Sequence, residues 1–354
     1  MSESPADDRG LLDILFEKAM TAGQPLSGTF ELTSRCNLLC RMCYIAVPVS
    51  AKKDERAREL SARQWLALAR EATDAGMLFV CLSGGEPFLR PDFFDIYEPL
   101  TTWGLNLTLF TNATLITPAI AHRLANNPPS RLEVSLYGAT EAVYERVTGV
   151  PGSYRQCLRG IDALLETGRV PLLIKTALSR LNVHELPAMR DLAHARGVPF
   201  QAAWLLTPRR DRLPGKAEVI RLSAEEVVRL EQQEGVPARL EEPLPANIPH
   251  GAFYCNAGRA SFVIFAGGEM NPCLDFPMPG ARPLEVGFAA AWESTRKIVA
   301  DYPPSPVCSV CDNENHCPRC PAYSFLEAGS TDEPVPYLCG IARERRRIAE
   351  VNRL

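Results

Sequence analysis

Six short apolar runs, each followed by a helical pattern, occupy residues 28–206 and leave few folds open to the chain. The runs are Gly28 to Leu32, Leu78 to Leu82, Leu105 to Phe110, Arg131 to Leu136, Leu172 to Leu178 and Phe200 to Leu206. Helical patterns lie between them. Ser61 caps one that runs to about Ala75 and stops at Gly76, and others cover Phe93 to Trp103, Pro118 to Asn126, Tyr154 to Thr167 and Glu185 to Arg196. An amphipathic lead-in helix, Leu11 to Ala22, precedes the first strand. Apolar strands alternating with helices imply βα units and a parallel sheet. Six units make an α/β fold built as a partial, TIM-like (β/α)6 barrel.

In such barrels the chemistry sits at the carboxyl ends of the strands. Three thiols follow the first strand within eight residues, Cys36-x3-Cys40-x2-Cys43. Thiolates at such spacing are iron–sulfur ligands, and a [4Fe–4S] cluster normally takes four. A triplet with no fourth cysteine nearby therefore implies one iron left for a ligand that is not protein. The competing reading is a zinc knuckle, which needs four ligands. After the second strand comes Ser83-Gly84-Gly85-Glu86-Pro87, where residues without a Cβ let backbone approach a ligand.

The triplet, with Met42 before its last cysteine and Tyr44 after it, resembles the signature of the radical S-adenosylmethionine (radical SAM) enzymes. Ser83 to Pro87 is similar to that family's GGEP motif. The resemblance implies a [4Fe–4S] cluster on Cys36, Cys40 and Cys43 whose open iron chelates S-adenosylmethionine. One-electron reduction then gives a 5′-deoxyadenosyl radical that abstracts hydrogen from a substrate. Met42, Tyr44, Ser83, Gly84, Gly85 and Glu86 become candidate cofactor-binding residues. Thr111-Asn112-Ala113, after the third strand, resembles the family's "TNG" segment with alanine in the glycine's place. Ser135 and Arg146 are placed as the family's contacts to the ribose and carboxylate, and Arg146 is otherwise a surface arginine. Lys175, on the fifth strand, points into the barrel or snorkels at its edge.

The chain of 354 residues holds twelve cysteines and lacks a secretory signal, which argues for metal binding over disulfides and for a cytoplasmic location. A net charge of −4 with no run of one sign gives no indication of nucleic-acid binding, and no apolar stretch approaches a membrane span. Seven further cysteines, Cys255, Cys273, Cys308, Cys311, Cys317, Cys320 and Cys339, resemble the SPASM extension of peptide-modifying radical SAM enzymes, although Cys317 and Cys320 are one residue closer than usual. That resemblance implies two auxiliary [4Fe–4S] clusters. Cys308, Cys311, Cys317 and Cys339 would hold one. Cys255, Cys273 and Cys320 would hold the other, with an iron open to a substrate thiolate, water, Asp275 or His316. Two zinc sites are the alternative for the same spacing. Cys81 and Cys157 read as buried small hydrophobes.

The expected domains are a lead-in helix at 1–27, the barrel at 28–244 and a small cysteine-rich iron–sulfur domain at 245–354, with Pro237 to Pro249 as linker. The basic stretch from Pro208, with Arg209, Arg210, Arg212 and Lys216, reads as a solvated charge run or as a contact for an acidic substrate or leader peptide. A helix follows from Ser223 to Glu234, and Ile341 to Leu354 reads as a closing helix. The resemblance implies a maturase that installs a thioether or carbon–carbon cross-link in a ribosomally made peptide. Its partners would be a one-electron reductant of flavodoxin or ferredoxin type and, since the N-terminus is short, either a separate leader-binding protein or a substrate that needs no leader. Sulfatase maturation or oxidation of a small molecule would use similar parts. A non-catalytic iron–sulfur or zinc-stabilised binding protein would not cleave S-adenosylmethionine.

Overall fold

The computed structural model describes residues 10–45, 58–212, 217–236, 253, 255–276, 278–302 and 305–351. Lys52 to Ala57 of the charged connection and the whole proposed linker, with its domain boundary, lie outside the described residues.

After helix α1 (Leu11–Ala22), strands β1 (Ser27–Glu31), β2 (Phe79–Ser83), β3 (Asn106–Thr111), β4 (Arg131–Ser135), β5 (Leu172–Ala177) and β6 (Phe200–Ala203) pair in parallel, each beside the next. The helices between them are α2 (Ala62–Asp74), α3 (Phe93–Thr102), α4 (Pro118–Asn126), α5 (Glu141–Thr148), α6 (Ser153–Glu166) and α7 (Leu186–His194). Ser61 starts α2 with a capping box, its hydroxyl taking the Gln64 N–H while the Gln64 side chain returns to the Ser61 N–H. Right-handed crossovers between successive parallel strands place the helices on one face, and the side chains sort accordingly. Phe30, Val80, Leu82, Leu107, Leu109, Leu132, Val134 and Ile174 are buried on that side. Thr29, Cys81, Phe110, Ser135, Lys175 and Ala177 alternate with them and are half-buried on the other.

The sheet has two more strands than the six expected. β7 (Ser261–Ile264), from the cysteine-rich half, lies parallel to β1 with Ser27 opposite Ser261, and β8 (Met270–Asn271) turns back antiparallel. Phe262 of β7 faces Phe30, whose ring also lies 5.1 Å from Trp65. The two halves of the chain thus share one sheet and one core.

The remaining helices longer than a single turn are α8 (Ala224–Gln233), α9 (Phe288–Asp301), α10 (Pro321–Ala328) and α11 (Pro336–Val351). A buried ion pair fastens α11 to α8. Arg345 donates to both oxygens of Glu231, with Nε to Oε2 at 2.8 Å, and the side chains are 4% and 3% exposed. Trp204 Nε1 also donates to Glu231 at 3.0 Å, and Arg345 Nη1 reaches the His316 carbonyl at 3.1 Å. Helix α11 carries Cys339, so this pair holds the last cysteine against the barrel.

Candidate active site

Past the ends of β1 and β2 the two chains continue to zip together. Leu32 N–H bonds to Ser83 C=O at 2.9 Å, Gly85 N–H to Thr33 C=O at 2.7 Å and Glu86 N–H to Arg35 C=O at 2.9 Å. This contact requires glycine. A Cβ on Gly84, whose φ is +152°, would lie 2.4 Å from the Thr33 carbonyl oxygen, and one on Gly85 2.3 Å from that of Arg35. The glycine pair is therefore pressed directly onto the backbone that leads into Cys36. Arg35 is held in turn by Glu59, with Nε to Oε1 at 2.8 Å and Nη2 to Oε2 at 3.0 Å. Buried Arg90 caps the carbonyls of Leu32 and Leu60, both at 2.8 Å.

Glu86 ties β2 to β3. It is fully buried; its carboxylate accepts from Asn112 N–H and Thr111 Oγ1, both at 2.8 Å, and from Phe88 N–H at 3.3 Å. Burial pushes its carboxyl up to about 7, while these three donors pull it back toward the ionised form. Ala113 follows with a left-handed φ of 58°, the conformation for which glycine is the unstrained residue. That explains why a glycine stands at this place in the motif the segment resembles.

The loop bearing the triplet is docked from the other side by α5, where Leu39 and Arg41 N–H groups bond to the carbonyls of Thr148 and Val147 at 2.8 and 2.9 Å. Asn112 Nδ2 points at Cys36 Sγ (3.7 Å) and bonds to Asn37 Oδ1 at 3.0 Å, and Asn37 bonds to Thr114 at 2.7 Å. Leu38 N–H also donates to Cys36 Sγ at 3.3 Å. These are donors aimed at a sulfur, the arrangement that orients and tunes a metal-bound thiolate.

The three thiols line one cavity of about 260 Å³ together with Met42, Tyr44, Ser83, Gly84, Gly85, Thr111, Asn112 and Ser135. Phe110, Tyr137, Leu206 and Thr207 complete much of its wall. Burial, with a contribution from the neighbouring carboxylate Glu86 and thiol Cys43, pushes Cys36 up to about 11, and burial and the other two thiols push Cys40 well up. Such thiols give up protons only to a group that needs thiolates, so the donor set fits a cationic metal centre, and loading would release protons. No three His, Cys, Asp or Glu side chains among the described residues converge closely enough for a single ion. A four-iron cluster takes one thiolate on each of separate irons and spans a wider set.

Other candidates lie elsewhere. Glu86 is behind the cavity wall and acts through Thr111 and Asn112. Arg146 is exposed and donates to the Leu181 carbonyl at 2.5 Å. Lys175 pairs with buried Glu133 and sits 5.1 Å over the Phe110 ring, outside the cavity lining. Cys157 is buried, as read from the sequence, but Cys81 is half-buried on the face opposite the helices. In the cysteine-rich half, Cys273 and Cys320 are half-buried and face Cys255 and Asp275, and burial pushes Cys320 up to about 11. Cys317 is pushed to about 11 by burial and by Cys339, Cys308 and Cys311 around it. Cys255, Cys273 and Cys320 thus lie near one another, as do Cys308, Cys311, Cys317 and Cys339; Asp275 accompanies the first set, and His316 sits on the turn before Cys317. Thr207 Oγ1 lies 3.5 Å from Asp275 and 3.4 Å from the Tyr323 hydroxyl, so one wall residue of the cavity also touches the neighbourhood of that group.

Sequence reading missed Arg210. Its side chain is 13% exposed rather than solvated, and it pairs with Glu31 at 2.8 Å. Arg209 does pair at the surface, with Asp211. The available sequence signal was Glu31, an acid inside the apolar first-strand run, which once buried calls for a cation beside it.

A model of the radical SAM superfamily matches residues 30–193. The AdoMet-dependent heme synthase of Methanosarcina barkeri is 27% identical over 334 residues, covering 87% of this chain and 94% of that protein. Mycofactocin maturase MftC of Mycobacterium tuberculosis is 33% identical over 186 residues, covering 52% of this chain, and the match spans 46% of its length, about half. Among solved structures, Streptococcus suis SuiB bound to S-adenosylmethionine superposes with a TM-score of 0.72 at 17% identity, over 90% of this chain and 77% of that one, a likeness of fold.

Proposed function

We propose that this chain, whose residues 30–193 match the radical SAM model, is an enzyme of that superfamily and modifies a residue of a ribosomally made peptide, forming a thioether or carbon–carbon cross-link. The observation that carries the chemistry is the single cavity on which three half-buried thiols, the Gly84-Gly85 backbone and the Thr111-Asn112 pair converge at the ends of the first three strands. The peptide assignment is supported by the relatives named maturases.

Cys36, Cys40 and Cys43 would hold the [4Fe–4S] cluster, and S-adenosylmethionine would lie along the glycine pair and Ser135. When bound, the two supply one-electron cleavage and a hydrogen-abstracting radical; the protein supplies position and protection. Asn112 and the Leu38 N–H orient Cys36 by donating to its sulfur. Glu86 fixes Thr111 and Asn112 relative to the glycines. The apolar wall of Met42, Phe110, Tyr137 and Leu206 keeps water from a reactive centre. The two groups of cysteines in the C-terminal half would hold auxiliary clusters that take up the substrate's electron. The electron for cleavage comes from an external reductant of flavodoxin or ferredoxin type, and a separate leader-binding protein would present the peptide.

A second reading, action on a small tetrapyrrole, is favoured by the alignment over 94% of the archaeal relative named heme synthase. The test uses anaerobically reconstituted holoprotein with dithionite and S-adenosylmethionine, offered either a panel of cysteine-containing precursor peptides or a porphyrin. Loss of two hydrogens from a peptide, matched by 5′-deoxyadenosine, supports the maturase. Turnover of the porphyrin alone overturns it in favour of the second reading, and no cleavage of S-adenosylmethionine overturns both.

Gly85→Ala tests the positioning directly. Its Cβ forces the Arg35 backbone, and Cys36 with it, to move, and a shift of about 1 Å costs on the order of 100-fold in rate. We expect 5′-deoxyadenosine release to fall by about that factor, read by chromatography against iron content.

A further inference from the structure

Arg210 occupies a place no other cation among the described residues shares. It follows β6, yet its guanidinium lies at the end of β1, where Nη2 contacts both oxygens of Glu31 at 3.0 and 2.8 Å. The pair is nearly dry, with side chains 13% and 3% exposed. The guanidinium also lies over the rings of Tyr44 at 5.2 Å and Phe265 at 4.6 Å, and the Arg210 N–H donates to the Tyr44 carbonyl at 3.1 Å. Tyr44 directly follows Cys43. The charged pair is thus packed against the backbone and ring of the residue next in chain to a triplet thiol. A dry ion pair is weak evidence for a stabilising role, because desolvation offsets much of its attraction. What it does supply is a fixed charge distribution beside a site whose chemistry begins by accepting an electron.

We propose that the Arg210–Glu31 pair sets the reduction potential of the cluster held by Cys36, Cys40 and Cys43. This rests on the reading that the triplet holds such a cluster. Potentials of iron–sulfur clusters depend on net charge, hydrogen bonding and exposure. Adding an electron beside a guanidinium is favoured, and adding it beside a carboxylate is opposed. The pair also explains why an arginine in a basic loop is turned inward across the sheet: its target is the strand that leads to the triplet. Arg210 is in these terms a positioning and tuning residue, not a catalytic one.

The test is a potentiometric titration of the holoprotein, following the EPR signal of the reduced triplet cluster in a background where Cys308, Cys311 and Cys317 are changed to alanine to simplify the spectrum. Glu31→Gln raises the potential and Arg210→Gln lowers it, each by about 59 mV, a tenfold change in the ratio of reduced to oxidised cluster for one electron. The double variant Glu31→Gln/Arg210→Gln returns close to the parent. Shifts of the same sign in both single variants, or none in either, overturn the proposal, because a merely structural pair moves both the same way. If the parent itself shows no EPR-active cluster that disappears with Cys36→Ala, the cluster reading fails instead, and the two failures are distinct.

Discussion

Changing Cys36, Cys40 and Cys43 together to alanine is expected to remove about four of about twelve irons per chain, given four per cluster and three clusters, and to abolish reductant-dependent release of 5′-deoxyadenosine. The effect is total because the three sulfurs share one cavity with the glycine pair, and no other thiol lines it. The remaining iron stays because none of the seven cysteines from Cys255 onward lines that cavity: Asp275, beside the first group, meets Thr207 on its wall, and of the second group Cys339 rides on α11. Iron and sulfide analysis, with chromatography of the nucleoside, measures both quantities on one sample. Deoxyadenosine release by the triple variant would remove the cavity from the mechanism. Zinc in place of iron in the parent would leave a metal-stabilised binding protein.

The second large effect is on stability. Arg345→Met strands the Glu231 carboxylate between α8 and α11, where it is 3% exposed and keeps only the Trp204 donor. Breaking such a buried pair from one side costs about 3–5 kcal/mol, whereas replacing both charges with apolar residues of similar volume is often neutral. The urea midpoint of the holoprotein should therefore drop sharply in Arg345→Met and recover in the double variant Arg345→Met/Glu231→Leu. Because Cys339 rides on α11, iron content should fall with the single variant and return with the double. Equal midpoints in the parent and Arg345→Met would show that the pair carries no net stability.

Much of the architecture was readable because local pattern and global role agree. Each of the six expected parallel strands is an apolar run bounded by turn residues, and the observed strands start within one residue of the expected ones. The triplet and glycine motif were readable because their chemistry is written in residue type and spacing. What escaped has a common cause: it depends on contacts far apart in sequence. β7 and β8 are four and two residues long, and nothing local says that Ser261 must lie opposite Ser27. Helix α9, Phe288–Asp301, went unassigned, although it buries Trp292 and bonds it to the Gly23 carbonyl at 2.8 Å. Helix α11 begins at Pro336, before the expected Ile341, because proline suits the first turn of a helix. The basic loop read as solvated because charge runs usually are, and only Glu31, buried at the end of a distant strand, reveals that Arg210 is not. Glu86 was read only as a cofactor contact, and its bonds to Thr111 and Asn112, which make it a brace between β2 and β3, join residues 25 and 26 positions apart.

The pairing of β1 with β7 also bears on how the chain is made. On the ribosome β1 emerges before the strand that covers its edge, which follows roughly 230 residues later, a wait of about ten to fifty seconds at ordinary rates of translation. During that interval β1 offers an uncovered row of amides and carbonyls on one side, and unpaired edges invite association between chains. The first nucleation must therefore come from β1 to β3 with α2 and α3, whose contacts are local, while the cysteine-rich half arrives last as the closing seam. Cluster assembly in the cell is then ordered by biosynthesis: the triplet loop can be framed by β2 and α5 before the other thiols have left the exit tunnel, and delivery of its iron can precede theirs.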